Sequence, residues 1–229
     1  MKLNQNSWAA ARDAATGATA SDTGDPIIVR VAKNGSKYNV TRMFLAFDTS
    51  AIKEPPTTAL LDIRISSLVG DGLSLRVVKV AANATGDSDT AFAAADFDAL
   101  QGFSSGATMD GNVTAYSSAA AAESLTAGQH RMVALNAAAR KDMAALDEFK
   151  IAIVGVRDYT NTAPTADKRT LIDSVDDSTA ANRPRLKWVS ARSSRKARKT
   201  KGSRGRGFSL KNVTVTTGGK TVANGFEEI

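Results

Sequence analysis

Apolar and polar residues alternate strictly along Leu61-Asp62-Ile63-Arg64-Ile65-Ser66, which puts Leu61, Ile63 and Ile65 on one face of an extended chain and Asp62, Arg64 and Ser66 on the other. Phe149-Lys150-Ile151-Ala152-Ile153 repeats the pattern. The same reasoning predicts strands over 27–32, 42–48, 73–80, 130–135, 170–173 and 186–190. Turn formers separate them: Asn34-Gly35-Ser36, Pro55-Pro56, Gly70-Asp71-Gly72, Gly86-Asp87 and Asp110-Gly111. Short alternating strands joined by turns predict an antiparallel all-β sandwich or barrel, because βαβ units need a regular helix between successive strands. Two alanine-rich stretches, 90–100 and 136–146, are expected to be short helices decorating it, with Asp89 or Asn136 as N-cap.

After Ser190 the pattern stops. Residues 191–207, ARSSRKARKTKGSRGRG, hold eight Lys/Arg and no acid. Val213 and Val215 then alternate with Thr214 and Thr216, followed by Gly218-Gly219 and Thr221-Val222, which predicts a β-hairpin. The expected organisation is a sandwich over 1–190, a basic linker or arm over 191–207, and a hairpin or docking segment over 208–229.

Composition sharpens this division. With 229 residues, 42% of them apolar and 23% charged, the chain is long enough and apolar enough for a real core. The net charge is +7; of 30 Lys/Arg and 23 Asp/Glu, residues 191–229 hold ten and two, leaving 20 and 21 in residues 1–190. The whole excess therefore lies in the C-terminal segment. Neither a signal-peptide core nor a run long enough for a membrane span occurs, so synthesis in a cytoplasm without cleavage and no membrane partner are expected.

Chemistry-bearing residues are sparse. With no cysteine and one histidine, thiol nucleophiles and thiolate metal sites are excluded and a base near neutral pH must be His130, which falls in a predicted strand beside Arg131. No catalytic residue, metal ligand or cofactor site is nominated, and an enzyme is not expected. The glycines of 70–72 and 202–207 lack the strand, lysine and helix of a phosphate-binding loop. Aspartates at 87–89 and 173–177 do not follow a calcium-loop spacing and read as solvated loop charge.

The strong electrostatic feature is the arm. Arg192, Arg195, Lys196, Arg198, Lys199, Lys201, Arg204 and Arg206 are the candidate partner-binding residues. Three readings stand: docking on an acidic protein surface, phosphate contacts with nucleic acid, and a solvated linker kept extended by self-repulsion. No aromatic residue interleaves with these charges, which argues against stacking on single strands.

The run from Thr41 to Ile52, TRMFLAFDTSAI, followed by Thr58 to Ile65, TALLDIRI, resembles the DNRLRE-type jelly-roll domains related to carbohydrate-binding modules, with their R-x-F-L-x-F-D-x-S-x-I and A-x-L-x-I strands. Asn182 to Val189, NRPRLKWV, is similar to their closing R-P-x-L strand, so the resemblance brackets about residues 5–190. It implies a jelly-roll-like sandwich in which Phe47 points inward, Asp48-Thr49-Ser50 bonds neighbouring backbone at a corner, and Ile52 returns to the core. Such domains occur in secreted glycan-binding proteins and in virion proteins of tailed bacteriophages, and an alanine-rich, cysteine-free chain without a secretion signal resembles the second group. The resemblance implies a non-enzymatic virion structural protein, a head or tail subunit made in the host cytoplasm, with other virion proteins and copies of itself as partners. A carbohydrate-binding module and a nucleic-acid-associated protein are the alternatives. Trp8, Trp188 and three tyrosines are not clustered in a predicted loop, as sugar stacking would require.

Overall fold

The computed structural model describes residues 2–17, 20, 26–70, 73–118, 125–190, 215–217 and 220–222, with backbone alone for 2–4 and for the last two segments. In chain order the elements are β1 (Lys2–Gln5), α1 (Trp8–Arg12), β2 (Ile27–Asn34), β3 (Lys37–Thr41), β4 (Met43–Asp48), β5 (Thr58–Val69), β6 (Leu75–Lys79), β7 (His130–Ala134), α2 (Ala137–Ala145), β8 (Glu148–Gly155), α3 (Val156–Tyr159), β9 (Asp167–Ile172), β10 (Arg185–Val189), β11 (Val215–Thr217) and β12 (Lys220–Val222).

Among the described residues all strand pairing is antiparallel, in two sheets. The larger runs β1-β3-β2-β9-β5-β10-β11-β12 with β7 also on β5, and the smaller runs β4-β8-β6. Strand β5 organises the larger sheet: its first half pairs with β10 (Leu61 opposite Leu186), its middle with β7 (Ile63 opposite Arg131), and its end with β9 beyond an irregularity between Ile65 and Ser67. The backbone of β11 pairs with β10, Lys187 opposite Val215, and with β12.

One apolar core lies between the sheets. Val29, Val31, Leu61, Ile63, Ile65, Ile172 and Leu186 come from the larger sheet, and Met43, Leu45, Phe47, Leu75, Val77, Phe149, Ile151 and Ile153 from the smaller. These are the residues that alternation places on one face, as antiparallel sheets with one covered face require. The smaller sheet is also covered on its other face, where Val78, Ala152 and Val154 pack against Leu100, Met109 and Val113 of the 81–118 excursion. Burial on both faces explains why the second half of β8 reads as a continuous apolar run.

Several expectations need correction. Residues 90–100 form only a 3-10 turn, Ala94–Asp96, because the Asp96 carboxylate captures the N–H groups of Ala93 and Thr85 and the Thr85 hydroxyl, competing with helical bonding. Asp89 therefore caps no helix, whereas Asn136 caps α2 by accepting from the Ala139 N–H at 3.0 Å. Strands β1 and β3 and helices α1 and α3 carry no readable periodicity: β3 is Lys-Tyr-Asn-Val-Thr, held by its pairing with β2 across the Gly35 turn at φ +59°. Asp62 lies on the outer face of β5 as expected but is only 2% exposed, covered by Lys187 and His130.

Candidate functional site

The nominated partner-binding residues Arg192, Arg195, Lys196, Arg198, Lys199, Lys201, Arg204 and Arg206 all lie outside the described residues. Among the described residues two constructions stand out: a buried charge clasp, and a cleft along the edge of β4.

The clasp begins with Arg42, which directly precedes β4 and is fully buried. Its guanidinium donates to Asp158 through Nε–Oδ2 at 2.7 Å and Nη2–Oδ1 at 3.0 Å, a bidentate pairing, and to the carbonyls of Phe97 and Arg12 at 2.7 and 3.0 Å. Phe97 lies under it, its ring centroid 4.2 Å from Cζ. Arg12, at the end of α1, is buried too and donates to the carbonyls of Asp158 at 3.0 Å and Ala107 at 2.6 Å. Trp8 completes the attachment of α1 by donating to Asn161 Oδ1 at 2.9 Å. Two buried cations are thus tied to the carboxylates of Asp158 and Asp13 and to four carbonyls, which offsets their desolvation. The clasp fastens the N-terminal segment to α3 and to the long excursion, and this use is structural.

The cleft has a volume of about 400 Å³ and its floor is the β4 edge from Arg42 to Ala46. Strand β4 pairs with β8 alone among the described residues. The ladder extends to the Thr49 N–H, which donates to the Asp147 carbonyl at 2.8 Å, so Thr49, Phe47, Leu45 and Met43 hold the bonded positions. By antiparallel alternation the main-chain groups of Phe44 and Ala46 point away from β8 into the cleft. One rim is the loop 87–92. There the Asp87 carboxylate accepts the N–H groups of Asp89 and Thr90 at 2.9 and 2.7 Å, while Ser88 is anchored to Glu148 of β8 through its N–H at 3.0 Å and its hydroxyl at 2.5 Å. Those N–H groups, Asp89 first and Thr90 second, hold the Asp87 carboxyl below the usual carboxylate range, so it is ionised at neutral pH. Phe92 closes the loop onto Phe44, ring centroids 5.3 Å apart. Gly86 permits this: a Cβ there would lie 2.4 Å from the Phe92 ring. The opposite rim is the turn around Asp176, whose N–H donates to Ser174 Oγ, with Arg183 donating to the Asp177 carbonyl at 2.8 Å.

The resulting electrostatics are one-sided. Asp87, Asp89 and Asp176 line the cleft, and none is in an ion pair among the described residues. Among the described residues Arg183 is the one cation on the rims, while the Arg42 guanidinium is engaged by Asp158. The aspartates read as solvated loop charge do local structural work as well: Asp87 builds its turn, Asp173 pairs with Arg64 at 2.5 Å, and Asp177 accepts from the Thr179 N–H at 2.6 Å. Among the described residues no three His, Asp or Glu side chains converge as cation ligands.

His130 lies on the outer face of the larger sheet, Nδ1 2.9 Å from Asp62 Oδ1, with Lys187 Nζ 2.7 Å from the other carboxylate oxygen. Tyr116 donates to Asp142 at 2.5 Å and Lys79 to the same oxygen at 2.8 Å, joining α2 to β6. Burial, and then the bonded Asp142 carboxylate, push the Tyr116 hydroxyl far above its ordinary range, so it serves as a permanent donor. The cleft was not visible in the sequence; its one local signal is the Asp87-Ser88-Asp89 run. Compared with known proteins, the chain matches no family profile and no curated relative.

Proposed function

We propose that this chain is a non-enzymatic structural subunit of a tailed-bacteriophage virion, a jelly-roll-like sandwich that attaches to neighbouring virion proteins through its basic C-terminal segment. The observation that carries the reading is the partition of charge. A body of 20 basic and 21 acidic groups leads directly from β10 into eight Lys/Arg without an acid. Such a segment is repelled by itself and held by acidic partners, so attachment is the work its composition suits. The residues behind the jelly-roll resemblance add support, since Phe47, Ile52, Ile63 and Leu186 are all buried in the inter-sheet core. The polar corner also has the expected form: Asp48 accepts from the Ser50 N–H at 2.9 Å, and Thr49 Oγ1 donates to the Leu146 carbonyl at 2.7 Å.

Glycan binding by exposed tryptophan is disfavoured by the use to which both tryptophans are put. Trp8 is bonded to Asn161 and packs near Tyr38, and Trp188 is in the core. The test is capture of the full chain and of a form ending at residue 190 on capsid or tail proteins and on duplex DNA, across a salt series. Segment-dependent capture on protein supports attachment; segment-dependent capture on DNA alone replaces it with nucleic-acid binding.

A further inference from the structure

The near-neutral balance of residues 1–190 hides a division of charge between the two outsides of the sandwich. The six strands β2, β3, β5, β7, β9 and β10 of the larger sheet carry nine Lys/Arg and two Asp. The excursion 81–118, which packs on the outer side of the smaller sheet, carries five Asp and no Lys or Arg. Strands β4, β6 and β8 beneath it add Arg76, Lys79 and Lys150 against Asp48 and Glu148, so that side stays acidic. Because the main core lies between the sheets, the basic and the acidic surfaces are on opposite sides of the molecule.

Alternation with the core residues puts Arg30, Arg64, Arg169, Arg185 and Lys187 on the outer side of the larger sheet. Arg30 stands directly opposite Arg169 across the β2–β9 pairing, a placement of like charges that costs stability, and both share the one carboxylate of Asp167 at 2.7 to 3.0 Å. Asp62 serves Lys187 and His130 together, and Asp173 serves Arg64. Met132, opposite Asp62, and Val189 lie among these cations, and they are two of the three exposed large hydrophobic side chains of the described residues. Cations interspersed with exposed apolar side chains suit an acidic protein surface better than a bare polyanion, which would leave the apolar area wet.

From this division we propose that copies of the chain associate head to tail, the basic outer face of the larger sheet of one copy resting on the acidic 81–118 excursion of the next. Charge complementarity selects this occupant, since the acidic surface that the sheet face calls for is carried by every copy on its opposite side. Asp89 and Asp110 are exposed carboxylates of the excursion, the second 4.0 Å from Arg76, and Asp87 is held ionised by its loop N–H groups. A contact between unlike faces propagates from copy to copy and ends in a ring or an open filament. Strands β3-β2-β9-β5-β10 span about 24 Å, and at five or more residues each they present roughly 400 Å². That is about half of one side of a standard specific interface, so a single contact is weak and the array gains from ring closure. The inference concerns a different surface from the attachment reading and does not rest on it.

Charge exchange on the full chain tests it. In sedimentation velocity at low salt, up to about 0.5 mM protein, the mean sedimentation coefficient is expected to rise with concentration, and the rise should vanish in about 0.5 M salt. Lys37→Glu with Arg169→Glu reverses the sheet face, and the new carboxylate at 169 still has Arg30 opposite it. Asp89→Lys with Asp110→Lys reverses the excursion. Each double variant alone should associate at least about tenfold more weakly, because the faces that meet now repel. Mixed in equal amounts, the two should recover the association of the parent, since each reversed face then meets its opposite. If a reversal disturbs folding, judged by the melt, Lys37→Gln with Arg169→Gln and Asp89→Asn with Asp110→Asn serve instead; each should weaken association, and their mixture should stop at dimers joined through the one unaltered pair of faces. A parent that stays monomeric throughout, a sheet-face variant that associates as the parent does, or a mixture no more associated than its components would overturn the inference. The first of these outcomes would leave the sheet face to an acidic protein of another kind.

Discussion

The Arg42 guanidinium and the Asp158 carboxylate, 116 positions apart, meet in a bidentate pair from which water is excluded, at 2.7 and 3.0 Å. Removing one partner leaves the other charged and dry, which costs about 3–5 kcal/mol. Arg42→Met and Asp158→Asn are each expected to lower unfolding free energy on that scale. Arg42→Lys should rescue little, because an ammonium cannot reproduce the fork that also reaches Phe97 and Arg12. Denaturant unfolding checks this, and a loss below about 1 kcal/mol in all three variants would contradict a buried clasp.

Within the inter-sheet core, Ile63→Ala and Ile151→Ala should each cost about 2–5 kcal/mol, since both side chains are fully enclosed. An unchanged melting temperature for either would place that side chain at the surface.

The alternation that placed these isoleucines was legible because one face of each strand is covered and the period is two. The clasp was not legible. Arg42 stands beside a strand like any polar flanking residue, and nothing local identifies Asp158 as its partner. Strands β1 and β3 escaped for a related reason: β3 is held by its pairing with β2 and β1 by its pairing with β3, a long-range property without periodicity. The cleft depends on the 87–92 loop, the 173–184 segment and the β4 edge coming together, so only the acidic run of one rim had a sequence signal.

Acid should weaken the junction of α2 with β6. Burial raises the Asp142 carboxyl, but hydrogen bonds from Lys79 and Tyr116 outweigh it and hold the group below its ordinary value. A carboxyl depressed on folding contributes stability that is present above its unfolded value of about 4 and is lost as pH falls through the folded value. The melting temperature should therefore drop below about pH 4, and Asp142→Asn should be less stable near neutrality with a shallower acid slope. An identical slope in the variant would mean that Asp142 does not titrate with folding.

Gly86→Ala is expected to push Phe92 off Phe44, because the new methyl meets the ring and its backbone rather than a flexible chain end. The expected loss is about 1–3 kcal/mol, read from denaturant unfolding. A variant as stable as the parent would show that the 87–92 rim is free to relax.

The claim that the body folds alone while residues 191–229 attach it is tested most directly by one comparison. The full chain and a form ending at residue 190 are added in equal amounts to assembled particles lacking the protein, and the bound fraction is measured by sedimentation at low and at moderate salt. The account predicts that the shorter form melts cooperatively yet stays in the supernatant, while the full chain sediments and is released progressively as salt rises. Equal sedimentation of the two forms would contradict it.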